Sequence, residues 1–218
     1  MWVANSPLSE DCLYLQVARP VSRRMDRIPV MVWIYGGSFY SGTISLDLYH
    51  PGVLATSQQV MVVSIQYRLA SLGFLYLGDK EDRLPGNAGL LDQVLALQWI
   101  KENIIMFGGD PNRITLFSGK CRIQLYIITF KISESAGSTS ASYHLLSPMS
   151  RNLFNRVILQ SASPLSPWGL ITAKEAKRRS LKLAKKLGCP VQGGVELHRD
   201  TFKVKIFDYS YVDLLTRK

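Results

Sequence analysis

An α/β fold with a largely parallel sheet is predicted by three features. Short, β-branched-rich apolar runs occur at residues 29–35 and 60–67. Their nearly continuous apolar character is that of strands covered on both faces. Helical periodicity follows them, and strands and helices then alternate along the chain, as βαβ units require.

The elements follow in order. Residues 29–35 end at Gly36-Gly37, a turn signal. Over residues 87–107, Leu90, Leu91, Val94, Leu97, Gln98, Ile100 and Ile104 recur at spacings of three and four, and Gly108-Gly109 stops the helix. Residues 114–117 form a short strand, and residues 136–146 a second helix rich in small residues. Residues 156–160 form a strand and residues 173–187 a third helix. On that helix Ala173, Ala176, Ser180, Leu183, Ala184 and Leu187 make a modest apolar face, and Lys174, Lys177, Arg178, Arg179, Lys182, Lys185 and Lys186 fill the rest. No internal repeat or low-complexity linker interrupts the chain.

Length and composition bound the rest. The 218 residues make one domain or two small ones. Apolar residues at 47% and a mean hydropathy of +0.06 are globular values, and 19% charged residues are too few for a coiled coil. No apolar run reaches the roughly 18 residues of a membrane span, and no signal peptide opens the chain. Three cysteines are too few for a disulfide scaffold and leave one thiol unpaired within the chain. The net charge of +10 is local: +7 lies in residues 174–218, +3 in residues 119–133, and the remainder is neutral. The basic helix reads as a solvated surface face, because no aromatics interleave with its cations as nucleic-acid stacking would want. No nucleic-acid partner is expected.

The chemistry centres on Ser133-Glu-Ser-Ala-Gly137, between a β-like run and the small-residue helix. A strand, a sharp turn carrying Ser and a helix make a nucleophile elbow, with the next backbone N–H, that of Ala136, aimed at a developing oxyanion. The bland alternative is a helix start capped by Ser133 or Ser135. Gly36-Gly37-Ser38 follows the 29–35 strand, where turned backbone N–H groups supply the remaining oxyanion donors in α/β-hydrolases, or where an ordinary Gly-rich turn lies.

Several longer stretches carry a resemblance: Ser9-Glu-Asp-Cys-Leu-Tyr-Leu15, Val32-Trp-Ile-Tyr-Gly-Gly-Ser-Phe-Tyr-Ser-Gly42, Gly86-Asn-Ala-Gly-Leu-Leu-Asp-Gln93, Phe107-Gly-Gly-Asp-Pro111 and Glu134-Ser-Ala-Gly137. In this order, and at nearly this spacing, they resemble the type-B carboxylesterase/cholinesterase family, most of all its acetylcholinesterase branch. Leu145-Leu-Ser-Pro148, Ile158-Leu-Gln-Ser161 and Pro167-Trp168 continue the likeness. The resemblance covers residues 1–194 as a partial, incomplete α/β-hydrolase domain. It is interrupted by an unmatched insert at 119–133 and followed by an unmatched tail at 195–218.

The resemblance implies hydrolysis of a small-molecule ester, a choline ester foremost, through a Ser135 acyl-enzyme. Gly37, Ser38 and Ala136 would donate N–H groups to the oxyanion. Trp2 would hold a quaternary ammonium by cation–π attraction, and Glu134 would add negative charge. Tyr40 and Tyr49 would line the gorge and Trp168 the acyl pocket, with a core role as the alternative for Tyr49 and Trp168. Ser38 replaces the usual third oxyanion Gly, so bulky esters would react more slowly. No metal or organic cofactor is implied, and the location implied is secreted or extracellular, at a cell surface or synapse. A general carboxylesterase and a non-catalytic adhesion protein are the alternatives.

The departures are equally specific. The family places its catalytic acid and His beyond residue 218, and His50, His144 and His198 match neither, so these residues alone are expected to be inactive. His144 shares a helix with the elbow and cannot fold back to Ser135. The family's partner for Cys12 would precede Met1, and that for Cys189 would follow in the unmatched tail. The insert, which carries Cys121, can be encoded as a retained intron, GGT-AAG-TGC at 119–121 and ATT-TCA-GAA at 132–134. Its 125–130 run would compete with 114–117 for the strand leading into the elbow, or loop out.

Overall fold

The computed structural model describes residues 5–21, 27–78, 86–119 and 136–189. They fall into two compact units. The first takes residues up to Leu75 and Gly86–Ile171; the second begins at Tyr76 and resumes at Thr172.

The first unit is built on a five-stranded sheet of order β1-β3-β2-β4-β5, from β1 (Leu15–Ala18), β2 (Ile28–Tyr35), β3 (Met61–Ile65), β4 (Gly109–Gly119) and β5 (Arg156–Leu159). β2 pairs in parallel with β3 and β4, and β4 with β5; β1 alone runs antiparallel, on β3. All five β3 residues are buried, as a strand covered on both faces must be. Val30, Val32, Ile34, Met61, Val63, Ile65, Ile114 and Leu116 form the sheet's share of the core, and Leu97, Ile100 and Ile104 cover it.

The described residues also form five α-helices: α1 (Gly52–Gln58), α2 (Ala70–Phe74), α3 (Ala88–Asn103), α4 (Ala136–Leu146) and, in the second unit, α5 (Ala173–Lys186). A 3-10 turn, Ile104–Phe107, extends α3 to Gly108, whose φ of +82° lets its N–H turn back to the Ile104 and Ile105 carbonyls. Thr172 caps α5, its Oγ accepting from the Glu175 N–H at 3.3 Å.

The sequence reading located β2, β3, β4, β5, α3, α4 and α5, with bounds shifted by a few residues. It missed β1, α1 and α2, which run four, seven and five residues and, unlike β3 and β5, carry no adjacent β-branched apolar residues. Asp92 and Gln93 were not among the positions its helical spacing named. Both are buried. Asp92 receives a bidentate Arg68 guanidinium (2.7 and 2.8 Å) and the Arg68 backbone N–H (3.0 Å), so its charge is matched on three sides. The 114–117 run holds the strand slot as part of β4, between β2 and β5; residues 125–130 lie outside the described residues.

Candidate active site

The C-terminal ends of β2 and β4 carry the site. β2 delivers Gly36 into a turn in which Gly37 (φ +140°), Ser38 (+58°) and Phe39 (+59°) all have positive φ. Gly37 is required here: a Cβ on it would lie 1.9 Å from the Ser41 carbonyl oxygen. The turn closes on itself, with the Tyr40 and Ser41 N–H groups donating to the Gly37 carbonyl at 2.9 and 3.0 Å, and it is pinned by the Ala70 N–H on the Phe39 carbonyl at 2.8 Å. Among the described residues, the N–H groups of Gly37 and Ser38 have no acceptor.

α4 starts against the same strand end. A Cβ on Gly137 would lie 2.2 Å from the Ile34 carbonyl oxygen and 3.0 Å from that of Tyr35, so only glycine permits this approach. Ser138 ties the helix to two more strands: its hydroxyl reaches the Ser118 carbonyl (3.1 Å) and that of Gln160, and accepts the Gln160 N–H (3.0 Å). Ala136, fully buried, is the first helical residue. Its N–H belongs to the first turn, which has no intrahelical acceptors and carries the positive end of the helix dipole. The Gly37–Phe39 turn and the start of α4 thus both lie at the C-terminal end of β2, and backbone donors at such positions suit an oxyanion.

Aromatic rings wall the turn. Phe39 packs edge-on to Phe74 (centroids 5.0 Å apart) and 6.4 Å from Trp168. Trp168 is half-buried, and its Nε1 is buried without a partner. Tyr40 is 41% exposed at the turn's edge. Tyr49 is half-buried and lies 5.2 Å from Trp33 in a tilted pair, as part of the core margin. The structure therefore gathers Gly37, Ser38, Ala136, Tyr40 and Trp168 around the ends of β2 and β4, and places Tyr49 on Trp33. Ser135, Glu134 and Trp2 lie outside the described residues. The sequence reading overlooked Phe39. A glycine pair followed by an aromatic on a positive-φ turn is the available signal, but the direction of its ring is set by Phe74 and Trp168.

His144 is occupied elsewhere. Its Nε2 lies 2.9 Å from Gln93 Oε1 and its Nδ1 2.8 Å from Ser150 Oγ, while Gln93 Nε2 donates to Ser140 Oγ at 3.2 Å. Burial pushes its pKa down to about 4. It is a neutral bridge between α3 and α4. His50 is exposed, with Nδ1 accepting the Gly52 N–H at 3.3 Å. Cys12 and Cys189 are thiols, and burial together with the Asp92 charge pushes Cys12 up; Cys121 lies outside the described residues.

Comparison with known proteins gives this geometry its context. The model of the carboxylesterase family matches residues 3–205. The chain is 49% identical to an acetylcholinesterase of Danio rerio over 197 residues, 90% of this chain and 28% of that protein. It is 49% identical to an acetylcholinesterase of Electrophorus electricus over 190 residues, 87% of this chain and 28% of that one. It is 50% identical to cholinesterase 1 of Branchiostoma lanceolatum over 184 residues, 84% of this chain and 46% of that one. The chain thus spans between about a quarter and a half of the length of these relatives. It belongs to the carboxylesterase family, whose fold is the α/β-hydrolase and whose members are serine carboxylic ester hydrolases.

Proposed function

We propose that the chain carries the nucleophile and oxyanion donors of a cholinesterase-type esterase acting on choline esters, in an extracellular setting. The observation that carries this reading is the pair of N–H groups at Gly37 and Ser38 that have no acceptor among the described residues, in the turn that leaves the strand end against which α4 begins. Ser135, directly before Ala136, attacks the ester carbonyl. The Ser135 proton passes to a general base as the carbonyl oxygen becomes an oxyanion received by Gly37, Ser38 and Ala136; collapse expels the alcohol, which takes up that proton, and water then hydrolyses the acyl-Ser135 ester to release the acid and restore the hydroxyl. Trp2 and Glu134 attract the cationic alcohol group, Tyr40 and Tyr49 border its path, and Trp168 with Phe39 bounds the acyl group.

Residues 1–218 hold three histidines. His144 is bound to Gln93 and Ser150, and His50 is tied to its own turn. Neither is free to take the Ser135 proton, and His198 lies outside the described residues and matches no catalytic motif of the family, so these residues alone are expected to leave Ser135 a weak nucleophile. The test is acetylthiocholine hydrolysis by the purified 218-residue protein, by its Ser135→Ala variant, and by the same pair within any longer transcript of the gene. We expect the 218-residue pair to be equal, and the longer pair to differ by at least about 10³-fold in kcat. Equal rates in the longer pair would overturn the esterase reading in favour of a non-catalytic interaction protein. A 218-residue activity lost on Ser135→Ala would show that an unforeseen base serves the site.

A further inference from the structure

α5 carries more charge than a surface helix needs. All seven of its Lys and Arg residues are exposed, against one acid, Glu175. At 100° per residue they fan over more than half of the helix circumference, and from Lys174 to Lys186 they span about 18 Å. Like charges at this spacing repel and destabilise the helix by a few tenths of a kcal/mol per pair, so folding alone gives no reason for the pattern. The opposite face is already used: Ser180, Ala184 and Leu187 are buried, and Ser180 Oγ accepts the Tyr76 N–H at 3.1 Å.

Three features select the counter-charge. The buried stripe leaves no apolar face to enter a lipid surface, which a membrane-lying helix requires. No aromatic residue stands among the cations to stack on bases. Glu175 engages both guanidinium groups, Arg178 Nε and Nη2 at 2.7 and 2.8 Å and Arg179 Nε at 2.7 Å. Those forks, the side chains best suited to reading base edges, are thus committed within the helix. Glu175 stays ionised, since the two guanidinium groups hold its carboxyl down to about 2. The remaining five cations, Lys174, Lys177, Lys182, Lys185 and Lys186, are point charges. They suit a linear polymer of repeating anionic groups and carry no sequence information.

We propose that the exposed face of α5 is a docking surface for a sulfated polysaccharide. The choice of polysaccharide over nucleic acid rests partly on the extracellular setting proposed above; the charge of the surface does not.

The test uses the 218-residue protein with heparin as probe. Affinity is measured across a salt series for the wild type, for Lys174→Gln/Lys182→Gln/Lys185→Gln/Lys186→Gln, and for a control, Arg151→Gln/Arg156→Gln, that removes exposed cations elsewhere. At 0.15 M salt the quadruple variant should bind at least about tenfold more weakly, and its log–log salt slope should be shallower by about three, because each lost contact releases one fewer counterion. The control should match the wild type. A quadruple variant that binds like the wild type would overturn the proposal. In parallel, heparin should protect the α5 lysines of the wild-type protein from acetylation, read by mass spectrometry, and absent protection would overturn it without recourse to any variant. Duplex DNA or phosphatidylserine vesicles that outcompete heparin at equal charge would also overturn it, leaving the ester-hydrolysis assay unaffected.

Discussion

Ser38 joins two demands that pull apart. Its N–H has no acceptor among the described residues, and its backbone is left-handed (φ +58°), which an L side chain adopts at a cost of about 1 kcal/mol. Ser38→Gly should relieve that strain and raise the Tm by about 2–4 °C for a protein of this size, read by calorimetry; an unchanged or lower Tm would show that the hydroxyl compensates. His144 illustrates the reverse case, a titratable residue held for packing. Its folded pKa of about 4 lies below the ordinary 6.5, so between those values the unfolded chain binds a proton that the native one refuses. Its contribution is whole above about pH 6.5 and is lost as the pH falls toward 4. Urea midpoints should therefore show the wild type losing about 2–3 kcal/mol more than His144→Gln between pH 7 and pH 4.5. Parallel losses in the two proteins would place the acid sensitivity elsewhere.

At the level of elements, α3 and α4 are positioned by polar contacts that a hydrophobic pattern does not reveal. Asp92, inside α3, fixes Arg68 at the entrance to α2 through three hydrogen bonds, and the adjacent Gln93 reaches His144 and Ser140 on α4. Asp92→Ala would strand the half-buried Arg68 guanidinium and its backbone N–H. We expect a loss of about 2–4 kcal/mol by denaturant titration, with Asp92→Asn recovering part of it by keeping acceptors for the N–H groups. A loss below about 1 kcal/mol would mean that solvent replaces the carboxylate. The apolar positions of α3 were legible because Val94, Leu97, Ile100 and Ile104 repeat at helical spacing. Asp92 and Gln93 were not, since a polar side chain declares itself buried only once its partners, Arg68 and His144, have come into contact through the tertiary fold. α4 was legible for a different reason: Ala136, Gly137 and Ser138 are small, and smallness at a helix start anticipates the close approach to Ile34 that the structure shows.

Across the whole molecule, the end of β4 and the start of α4, which flank the proposed elbow, lie together. Ser118 is the penultimate residue of β4, and Ser138, the third residue of α4, touches its carbonyl. Nineteen residues, 119–137, connect these two points along the chain, and four would suffice if 119–133 were removed. We propose that residues 119–133 are a translated intron. Deleting them joins Ser118 to Glu134, and the shorter closure should stabilise the protein by roughly 1–2 kcal/mol, raising its Tm. A lower Tm after deletion would mean that the insert has become structural, and transcripts that keep these codons in mature form would remove the intron reading.

The sequence by itself determined the fold class, the family and the chemistry on offer. Strand runs, helical spacing and the glycine-bearing motifs are local features, and local sterics and burial periods are written in adjacent residues. Only the tertiary structure decided that the Gly37 and Ser38 N–H groups find no acceptor among the described residues, that Phe39 packs near Trp168, that His144 is spent on Gln93 and Ser150, and that the cations of α5 are all exposed. Each of these depends on which distant groups meet, and hydrogen-bond satisfaction and exposure are properties of such meetings rather than of any segment.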